Sequence, residues 1–354
     1  MLGLLPLLLQ DPLPESGPPR APEVLVTATV LEEDPLEVPW SVTLLGREEL
    51  LEGPRTLPEA LAAVPSVMVQ KTAYGQSSPY IRGFTSYHNV LLVDGIRLNH
   101  TAMRSGPNQY WSTVDGFATE RLEVVRGPGG VLYGSDAVGG VVNAISAHPP
   151  GPSGSPAGSL FLRGASAEHG ASGRVDFSGA LDGGWGFSGG LSRKSFGDLV
   201  AGGATGLQPS TGYEEEDADL RLRRELSGGM TLDFGFQRVF QDDVPRTHKT
   251  VDGLSWNGTS PGDELFRLLD QRRQLVWGSL SWKDGGGWAD DAELTLSLHR
   301  HDQDRNRMKR DGSGNPTGGD LTGFGVDDLG LSARFHSDGG WVWGEEAHDE
   351  SVDS

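Results

Sequence analysis

The chain has 354 residues, no cysteine and a formal net charge of −20. The lack of cysteine excludes a disulfide framework, a thiolate metal site and a cysteine nucleophile. The acidic charge argues against a nucleic-acid partner, which would require a basic surface. No apolar run reaches about 18 residues, the length of a membrane-spanning helix, so a membrane-spanning form of this chain would have to be a closed β-barrel.

The first 29 residues contain three short segments. Residues 2–9 are apolar like the core of an export signal, but no Lys or Arg precedes them and no Ala-x-Ala site follows, so a clipped signal and a disordered start both stay open. Residues 11–22 contain five prolines and predict an extended linker. Residues 23–29 (Glu-Val-Leu-Val-Thr-Ala-Thr) form a β-prone run.

Residues 30–150 predict a small mixed α/β domain. Val42 and Leu44-Leu45 indicate a strand. Residues 57–64 indicate a short helix, with Pro58 in its first turn and Leu57, Leu61 and Val64 on one apolar face. Further β runs at 67–69, 90–93 and 122–125 should complete one mixed sheet. Residues 71–80 and 100–111 are polar and predict two irregular loops.

Three glycine-containing motifs follow one another in this region: 81–84 (Ile-Arg-Gly-Phe), 91–99 (Leu-Leu-Val-Asp-Gly-Ile-Arg-Leu-Asn) and 121–143. In the third, a β run stops at Arg-Gly-Pro-Gly-Gly, which indicates a tight turn. Gly127 and Gly134 are predicted to occupy positions that do not tolerate a Cβ. Residues 131–133 should return to an apolar environment, and Arg121, Glu123 and Arg126 are available for internal ion pairs.

In this order and spacing, the three motifs resemble the plug domain of TonB-dependent outer-membrane receptors. A small soluble α/β domain without a transport role is the alternative. The resemblance assigns a structural role to the motif residues, which are Arg82, Gly83, Asp94, Gly95, Glu123, Arg126, Gly127, Pro128, Tyr133, Gly134 and Asn143.

The resemblance also implies two binding regions. Residues 23–29 (Glu23, Val24, Leu25, Val26, Thr27, Ala28 and Thr29) look like the TonB box, which would add as a strand to the energy-transducing protein of the periplasm. The alternative is that they form the first plug strand. In the family, apical plug loops contact substrate. This implies candidates on the two polar loops, unless their polar groups simply contact the barrel wall: Tyr74, Gln76, His100, Arg104, Asn108, Gln109 and Tyr110.

From the Gly/Pro/Ser-rich boundary at 151–156, residues 151–354 predict strands of a transmembrane β-barrel. Val175, Phe177 and Leu181 alternate with polar residues, and Leu294, Leu296 and Leu298 do the same. Short turns at 182–184 and 227–229 would face the periplasm, and long stretches at 197–215, 242–265 and 303–326 would be extracellular loops. A soluble β-sandwich would show the same alternation, with these apolar positions in its core.

Other motifs fail in context. Residues 186–190 match G-x-S-x-G but lie within an alternating strand, and residues 302–313 lack the glycine and glutamate of a calcium loop. His299 and His301 share one strand face and could bind metal or haem, although an isolated H-x-H is more often ordinary lumenal polarity. No catalytic residue, resident metal or cofactor is predicted.

Only eight or nine strands are recognisable, whereas plugged transporters of the outer membrane have about 22. The expectation is therefore a mainly β fold, a plug followed by an incomplete antiparallel barrel, as the N-terminal part of a longer receptor. An unpaired edge is predicted near residues 329–335, and an acidic tail without strand structure is predicted after residue 346.

The resemblance implies an outer-membrane location, contact with lipid, and energy-coupled uptake with a TonB-type partner and no covalent chemistry. A ferric siderophore or similar metal chelate is the first substrate class, and haem and cobalamin are alternatives within the family. Two other classes stay open: a passive porin or adhesin, and a soluble plug-type binding module.

Overall fold

The computed structural model describes residues 40–354 except 74, 256–259, 284–288 and 338. The signal-like segment, the linker, the TonB-box-like residues 23–29 and Tyr74 therefore lie outside the described residues.

The N-terminal unit, residues 41–146, contains seven strands and three short α-helices in its described part. The strands are β1 (Ser41–Gly46), β2 (Val67–Ala73), β3 (Gln76–Ile81), β4 (Asn89–Val93), β5 (Ile96–Arg97), β6 (Thr119–Arg126) and β7 (Gly140–Ser146). The helices are α1 (Arg47–Glu52), α2 (Leu57–Ala60) and α3 (Gly130–Tyr133), with 3-10 turns at Leu61–Ala63, Ser86–His88 and Tyr110–Thr113.

The core of the N-terminal unit is a five-stranded sheet in the order β1-β6-β7-β4-β5. The β4–β7 pair is parallel and the other pairs are antiparallel, so the predicted mixed sheet is confirmed. The short helix is also confirmed. Leu57, Leu61 and Val64 are at most 2% exposed and form part of the apolar cluster on one face of the sheet.

Two details of this region were predicted wrongly. Residues 67–69 do not join the main sheet, because β2 pairs with β3 in a separate hairpin. Most of the stretch 71–80 is consequently strand rather than loop. The hairpin presents Val67 and Val69 to the apolar cluster while Met68 stays 58% exposed. Its polar residues therefore reflect strand alternation, which a loop assignment overlooked.

The rest of the chain is built mainly from long strands: β8 (Ala157–Ala165), β9 (Gly170–Leu181), β10 (Trp185–Phe196), β11 (Leu199–Ala201), β12 (Gly206–Gln208), β13 (Tyr213–Glu225), β14 (Met230–Pro245), β15 (Glu264–Trp282), β16 (Asp291–Arg310), β17 (Pro316–Ser337) and β18 (Trp341–Asp353), with a 3-10 turn at Thr247–Lys249. The predicted boundary at residue 150 falls between β7 and β8.

Nine of these strands form one open sheet, here called the strand wall, in the order β18-β17-β16-β15-β14-β13-β10-β9-β8. Every neighbouring pair is antiparallel. Its polarity is inverted relative to a soluble sheet. Leu294, Leu296 and Leu298 of β16 are 38%, 56% and 50% exposed, whereas Thr295 and Ser297 between them are buried. A β-sandwich would bury the leucines, so the pattern is that of a barrel strand with an apolar outer face.

The turns follow the predicted asymmetry in part. Tight turns with positive φ at Gly183, Gly184, Gly228 and Gly229 connect β9 to β10 and β13 to β14. Longer connections lie at the opposite end of the strands, between β10 and β13 and between β14 and β15, and the first of them contains the β11–β12 hairpin. No described helix is long and apolar enough to cross a bilayer.

The end of the chain differs from the prediction. The stretch 303–326 is not a long loop, because β16 and β17 pair through it and leave a short turn at 311–315. Residues 341–353 form β18 rather than an irregular tail, so 329–335 are paired with 343–349 and β18 is the edge strand of the wall. Much of both stretches is polar, and the ion pair of Arg307 with Asp320 connects β16 to β17.

Candidate functional site

The 94–95 turn attaches the N-terminal unit to the strand wall. Asp94 and Gly95 both have positive φ (48° and 79°) and reverse the chain between β4 and β5. The Asp94 carboxylate accepts hydrogen bonds from the backbone N–H and the hydroxyl of Ser146. Two arginines of the wall reach the same turn. Arg221 Nη1 lies 3.3 Å from Asp94 Oδ1, and Arg334 donates to the Gly95 carbonyl at 3.0 Å. The Asn143 side chain completes the turn by accepting from Gly95 N–H.

The third motif forms a second rigid corner. Gly127 and Gly134 have φ values of 127° and 74°, as predicted for positions that exclude a side chain. Arg126 donates to the carbonyls of Ser41, Val42 and Pro65 rather than to a carboxylate. The predicted ion pair is found between Arg121 and the fully buried Glu123, at 2.8 Å.

The remaining motif residues surround this corner. Tyr133 is buried and its carbonyl accepts from Arg97, while Arg82 and Gly83 form a positive-φ turn (51° and 86°). Pro128 is exposed. The expectation that residues 131–133 return to an apolar environment is confirmed for Leu132 and Tyr133, which pack in an apolar cluster. It is wrong for Val131, which is 99% exposed because α3 turns its side chain outward.

A buried ionic cluster joins the N-terminal unit to β9, β10 and β13. Asp115 lies 2.7 Å from Lys194 Nζ and 3.5 Å from Arg174, and it accepts a hydrogen bond from the Ser192 hydroxyl at 2.6 Å. Lys194 also pairs with Glu215 and, at 3.0 Å, with Asp217. The carboxylates of Asp115, Glu215 and Asp217 are close enough to hold a metal ion. The Lys194 ammonium already contacts all three, so the group is an ion-pair cluster with a built-in cation.

The electrostatics of Asp115 follow from this geometry. Burial raises its pKa, but Lys194 and Arg174 outweigh burial and the net pKa is lower than the ordinary value. Asp115 is therefore ionised at neutral pH, and it is the negative charge that the N-terminal unit contributes to the cluster. Lys194 also lies over the Phe117 ring at 4.9 Å, which adds a second contact between the same two parts.

The candidates on the 100–111 loop mostly turn inward, toward the strand wall. His100, Asn108, Gln109 and Tyr110 are at most 6% exposed, whereas Arg104 is exposed. Gln109 bonds to Gln303 of β16, and Asn108 bonds to Ser86 and Ser78 within its own unit. Gln76, on β3, is 3% exposed. The loop is thus part of the contact with the wall, and the substrate role of these residues stays a prediction.

His100 and Tyr110 meet two histidines of β16. His100 Nε2 lies 3.1 Å from His301 Nδ1, and the rings of Tyr110 and Phe324 pack against both imidazoles. Burial lowers the pKa of His100 to about 4, so its imidazole is neutral at physiological pH. Burial also raises the pKa of Tyr110.

Several residues of this interface were not predicted from the sequence: Lys194, Glu215, Asp217, Gln241, Gln271 and Arg273. All are buried, and Arg273 and Gln241 donate to the carbonyls of Thr113 and Ser112 in the N-terminal unit. The acidic run 214–217 could have indicated this interface. Its side chains point alternately to the two faces of β13, and they lie opposite Arg193 and Lys194 of β10. Charges on both faces of a strand indicate that one face is not in contact with an apolar core.

Comparison with known proteins supports the resemblance. Residues 34–141 match the family model described as TonB-dependent Receptor Plug Domain. The N-terminal unit therefore carries a plug domain of the TonB-dependent receptor type. The strand wall resembles part of the barrel of such receptors, and the similarity to outer-membrane receptors indicates an outer-membrane location.

Curated relatives carry different names. A vitamin B12 transporter BtuB of Photobacterium profundum is 30% identical over 190 residues, which is 53% of this chain and 30% of the relative. The BtuB of Vibrio vulnificus is 40% identical over 126 residues, 35% of this chain and 20% of the relative. An iron-regulated outer membrane virulence protein of Vibrio cholerae is 37% identical over 131 residues, again 35% and 20%. The chain thus spans under a third of these relatives.

Solved receptors share the fold. The ferripyoverdine receptor of Pseudomonas aeruginosa superposes with a TM-score of 0.64 at 17% identity, over 93% of this chain and 44% of the receptor. A ferric enterobactin receptor of the same organism superposes with a TM-score of 0.65 at 20% identity, over 94% and 51%. This chain therefore spans about half of each solved receptor.

Proposed function

We propose that the chain forms the plug and the first barrel strands of a receptor that takes up a scarce metal chelate across the outer membrane, driven by a TonB-type protein. The observation that carries the proposal is the seating of the plug. Its turns and loops bond to the polar inner face of a strand wall whose outer face is apolar. A passive porin needs no such plug, and a soluble module needs no apolar outer face.

A ferric siderophore is the first substrate class that we propose. The iron-regulated relative and the two solved siderophore receptors support it. Cobalamin is the second class, because two of the curated relatives are named vitamin B12 transporters. Haem is a third class within the family, and the imidazoles of His100, His299 and His301 are the groups that favour it.

Energy coupling can be tested at residues 23–29, the segment proposed to dock on TonB by strand addition. Val26→Pro removes a backbone donor from that added strand, so uptake by the receptor should stop while substrate binding at the cell surface persists. Ser16→Pro is the matched control, because it adds a proline to a linker that is already proline-rich. Uptake and surface binding are measured with radiolabelled ferric siderophore and with radiolabelled cobalamin in cells lacking other receptors.

The two labels separate the substrate classes, because only the true substrate should show uptake that Val26→Pro abolishes. Normal uptake by Val26→Pro would refute the docking role of residues 23–29. Saturable binding of neither label at the cell surface would refute both substrate classes.

A further inference from the structure

Five arginines from four segments of the chain gather where the 100–111 loop of the plug meets the strand wall. Arg104 lies on the plug loop, Arg246 directly after β14, Arg267 on β15, and Arg305 and Arg307 on β16. These five residues are called the arginine cluster below. The cluster lies at the end of the wall that carries the long connections, because Arg246 opens the connection from β14 to β15.

Hydrogen bonds connect the plug arginine to the inner face of β16. Arg104 Nη2 donates to Gln109 Oε1 at 2.7 Å, and Gln109 in turn bonds to Gln303. Because alternate side chains of a strand share a face, Arg305 and Arg307 lie on the same face of β16 as Gln303. The Arg305 side chain is 30% exposed and that of Arg307 is 23% exposed, so a ligand above the plug can reach both.

The wall arginines are held close to one another by backbone pairing. The Arg246 N–H donates to the Arg267 carbonyl at 2.9 Å, and Arg267 is directly opposite Arg307 in the β15–β16 register. Like charges directly opposite each other on neighbouring strands are destabilising. Burial and the positive charges of Arg104 and Arg267 lower the pKa of Arg246 to about 10. The fold therefore holds these positive charges together against their mutual repulsion.

Two carboxylates neutralise part of the charge of the cluster. Glu264 pairs with Arg267 and lies 3.6 Å from Arg307. Asp320 pairs with Arg307 and, at 2.9 Å, with Arg305. Five guanidinium groups thus meet two carboxylates, and the cluster keeps a net positive charge within a chain whose formal net charge is −20.

Several polar atoms of the cluster have no partner. In the described part of the chain, Arg104 and Arg246 form no ion pair with a carboxylate, and the buried Nε atoms of Arg246 and Arg305 have no hydrogen-bond partner. The hydroxyl of Tyr110, a residue that is 3% exposed, has none either. Burial raises the pKa of Tyr110, and the nearby charges of Arg104 and Arg246 oppose that rise. Buried donors without a partner cost free energy, which a ligand with oxygen acceptors would recover.

We propose that the arginine cluster and the Tyr110 hydroxyl bind the negatively charged oxygen atoms of the transported chelate. This inference rests on the proposed uptake function and narrows its substrate to iron held by negatively charged carboxylate or catecholate oxygens. Guanidinium groups bind such oxygens through pairs of parallel hydrogen bonds. Because Arg104 belongs to the plug and the other four arginines belong to the wall, a bound anion contacts both parts. Cobalamin has no comparable set of anionic oxygens to match the cluster.

The test is equilibrium dialysis of labelled probes against the purified full chain in a non-ionic detergent. The ferric probes are the iron complexes of citrate and of dihydroxybenzoate, and cyanocobalamin is the neutral probe. At least one ferric probe should bind saturably, and its Kd should weaken about tenfold or more in Arg104→Gln and in Arg246→Gln. Arg193→Gln is the matched control, since it removes the same charge from the exposed outer face, and its Kd should be unchanged.

Two further variants separate anion binding from a structural role of the arginines. Arg246→Lys keeps the positive charge and should recover part of the affinity that Arg246→Gln loses. Asp320→Asn releases Arg305 and Arg307 from their carboxylate, so it should tighten the Kd of the ferric probe. Loss of an ion pair that only stabilises the fold would not tighten binding.

A measurement without variants covers the case in which a substitution prevents folding. Phenylglyoxal modifies accessible arginines, and the bound ferric probe should protect Arg104 and Arg305 while Arg193 stays reactive. Mass spectrometry of peptides reports each position. Absence of this protection, or an equal Kd in Arg104→Gln, Arg246→Gln and the unmodified chain, would overturn the proposal.

The remaining outcomes separate this inference from the uptake function on which it rests. Tighter binding of cyanocobalamin than of both ferric probes, or binding of neither ferric probe, would overturn the anion site. Dialysis needs no TonB-type protein, so these results would leave the uptake test at residues 23–29 unaffected. Normal uptake by Val26→Pro would conversely refute the docking role of residues 23–29 without changing the Kd of the ferric probe.

Discussion

Arg193 and Lys194 are neighbours in β10, yet they should contribute very differently to stability. Each pairs with two carboxylates of β13, Arg193 with Glu214 and Glu216 and Lys194 with Glu215 and Asp217. Because successive side chains of a strand point to opposite faces, Arg193 faces outward and is 66% exposed, whereas Lys194 faces the plug and is 2% exposed. Lys194 additionally pairs with Asp115 of the plug.

The expected magnitudes follow from burial. Lys194→Met leaves three buried carboxylates without their ammonium, and removal of one partner from a buried ion pair costs about 3–5 kcal/mol. Gln241 still donates to Glu215 and Ser192 to Asp115, which keeps the expected loss near the lower end of that range. Arg193→Met removes exposed pairs that are screened by water, so its cost should stay below about 1 kcal/mol.

Urea unfolding in detergent, followed by tryptophan fluorescence, measures the free energy of unfolding of both variants. Limited proteolysis of the folded proteins reports whether the plug has separated from the wall, which is expected for Lys194→Met alone. If the two substitutions destabilise the protein by equal amounts, the inward orientation of Lys194 and the ionic role of Asp115 are both wrong.

Three further predictions concern the plug and the outer face. The pKa of the Asp115 carboxyl is lower in the folded protein than its ordinary value of 3.8. Its contribution to the free energy of unfolding should therefore be present above pH 3.8 and be lost as pH falls through the folded pKa. The difference in free energy of unfolding between the unmodified protein and Asp115→Asn should accordingly be largest near neutral pH and vanish in acid. In Gly139→Ala, a Cβ would lie 2.3 Å from Asn89 Oδ1 and 2.7 Å from the Ile81 carbonyl, so urea unfolding should show a loss of about 1–3 kcal/mol; Gly116→Ala has nothing within 4 Å of the new Cβ and should be neutral. Leu296→Arg on the outer face should cost about 2–4 kcal/mol in lipid bilayers and much less in a soluble sheet, and equal costs in lipid and in aqueous buffer would contradict a lipid-facing position.

Local features of this fold could be read from the sequence because local chemistry determines them. The positive φ values at Gly127 and Gly134 were expected from glycine in a turn motif, and Pro58 correctly indicated the start of α2. The apolar alternation of residues 294–298 was equally readable, since strand geometry alone dictates it.

Features that depend on tertiary contacts were missed. Residues 316–326 and 341–353 lack a continuous apolar face that would reveal a strand, and backbone pairing and cross-strand ion pairs hold them in the sheet. The meeting of His100 with His301 spans 201 residues of sequence, and nothing near either histidine indicates its partner. The same applies to Asp115 and Lys194, whose pairing depends on how the plug sits against the wall.

Much of the contact between the plug and the strand wall consists of polar hydrogen bonds, and this affects how easily the plug can separate from the wall. Gln241 and Arg273 of the wall bond to plug carbonyls, and Gln109 of the plug bonds to Gln303. Each hydrogen bond contributes only about 1 kcal/mol net, because water can replace either partner when the surfaces separate. An apolar contact of the same area would resist separation at every point, since both faces would have to be hydrated.

Two kinds of contact depart from that pattern: the apolar pair Leu275 and Trp277, which joins the plug core, and the buried ion pairs Asp115–Lys194 and Asp94–Arg221. Water cannot replace either without a large cost, because one exposes apolar surface and the other separates buried charges. Withdrawal of the plug must therefore break both kinds of contact, while the polar remainder follows at little cost. In the receptor that we propose, force transmitted through residues 23–29 would act against both kinds of contact, and weakening either one should lower the force at which the plug leaves the wall.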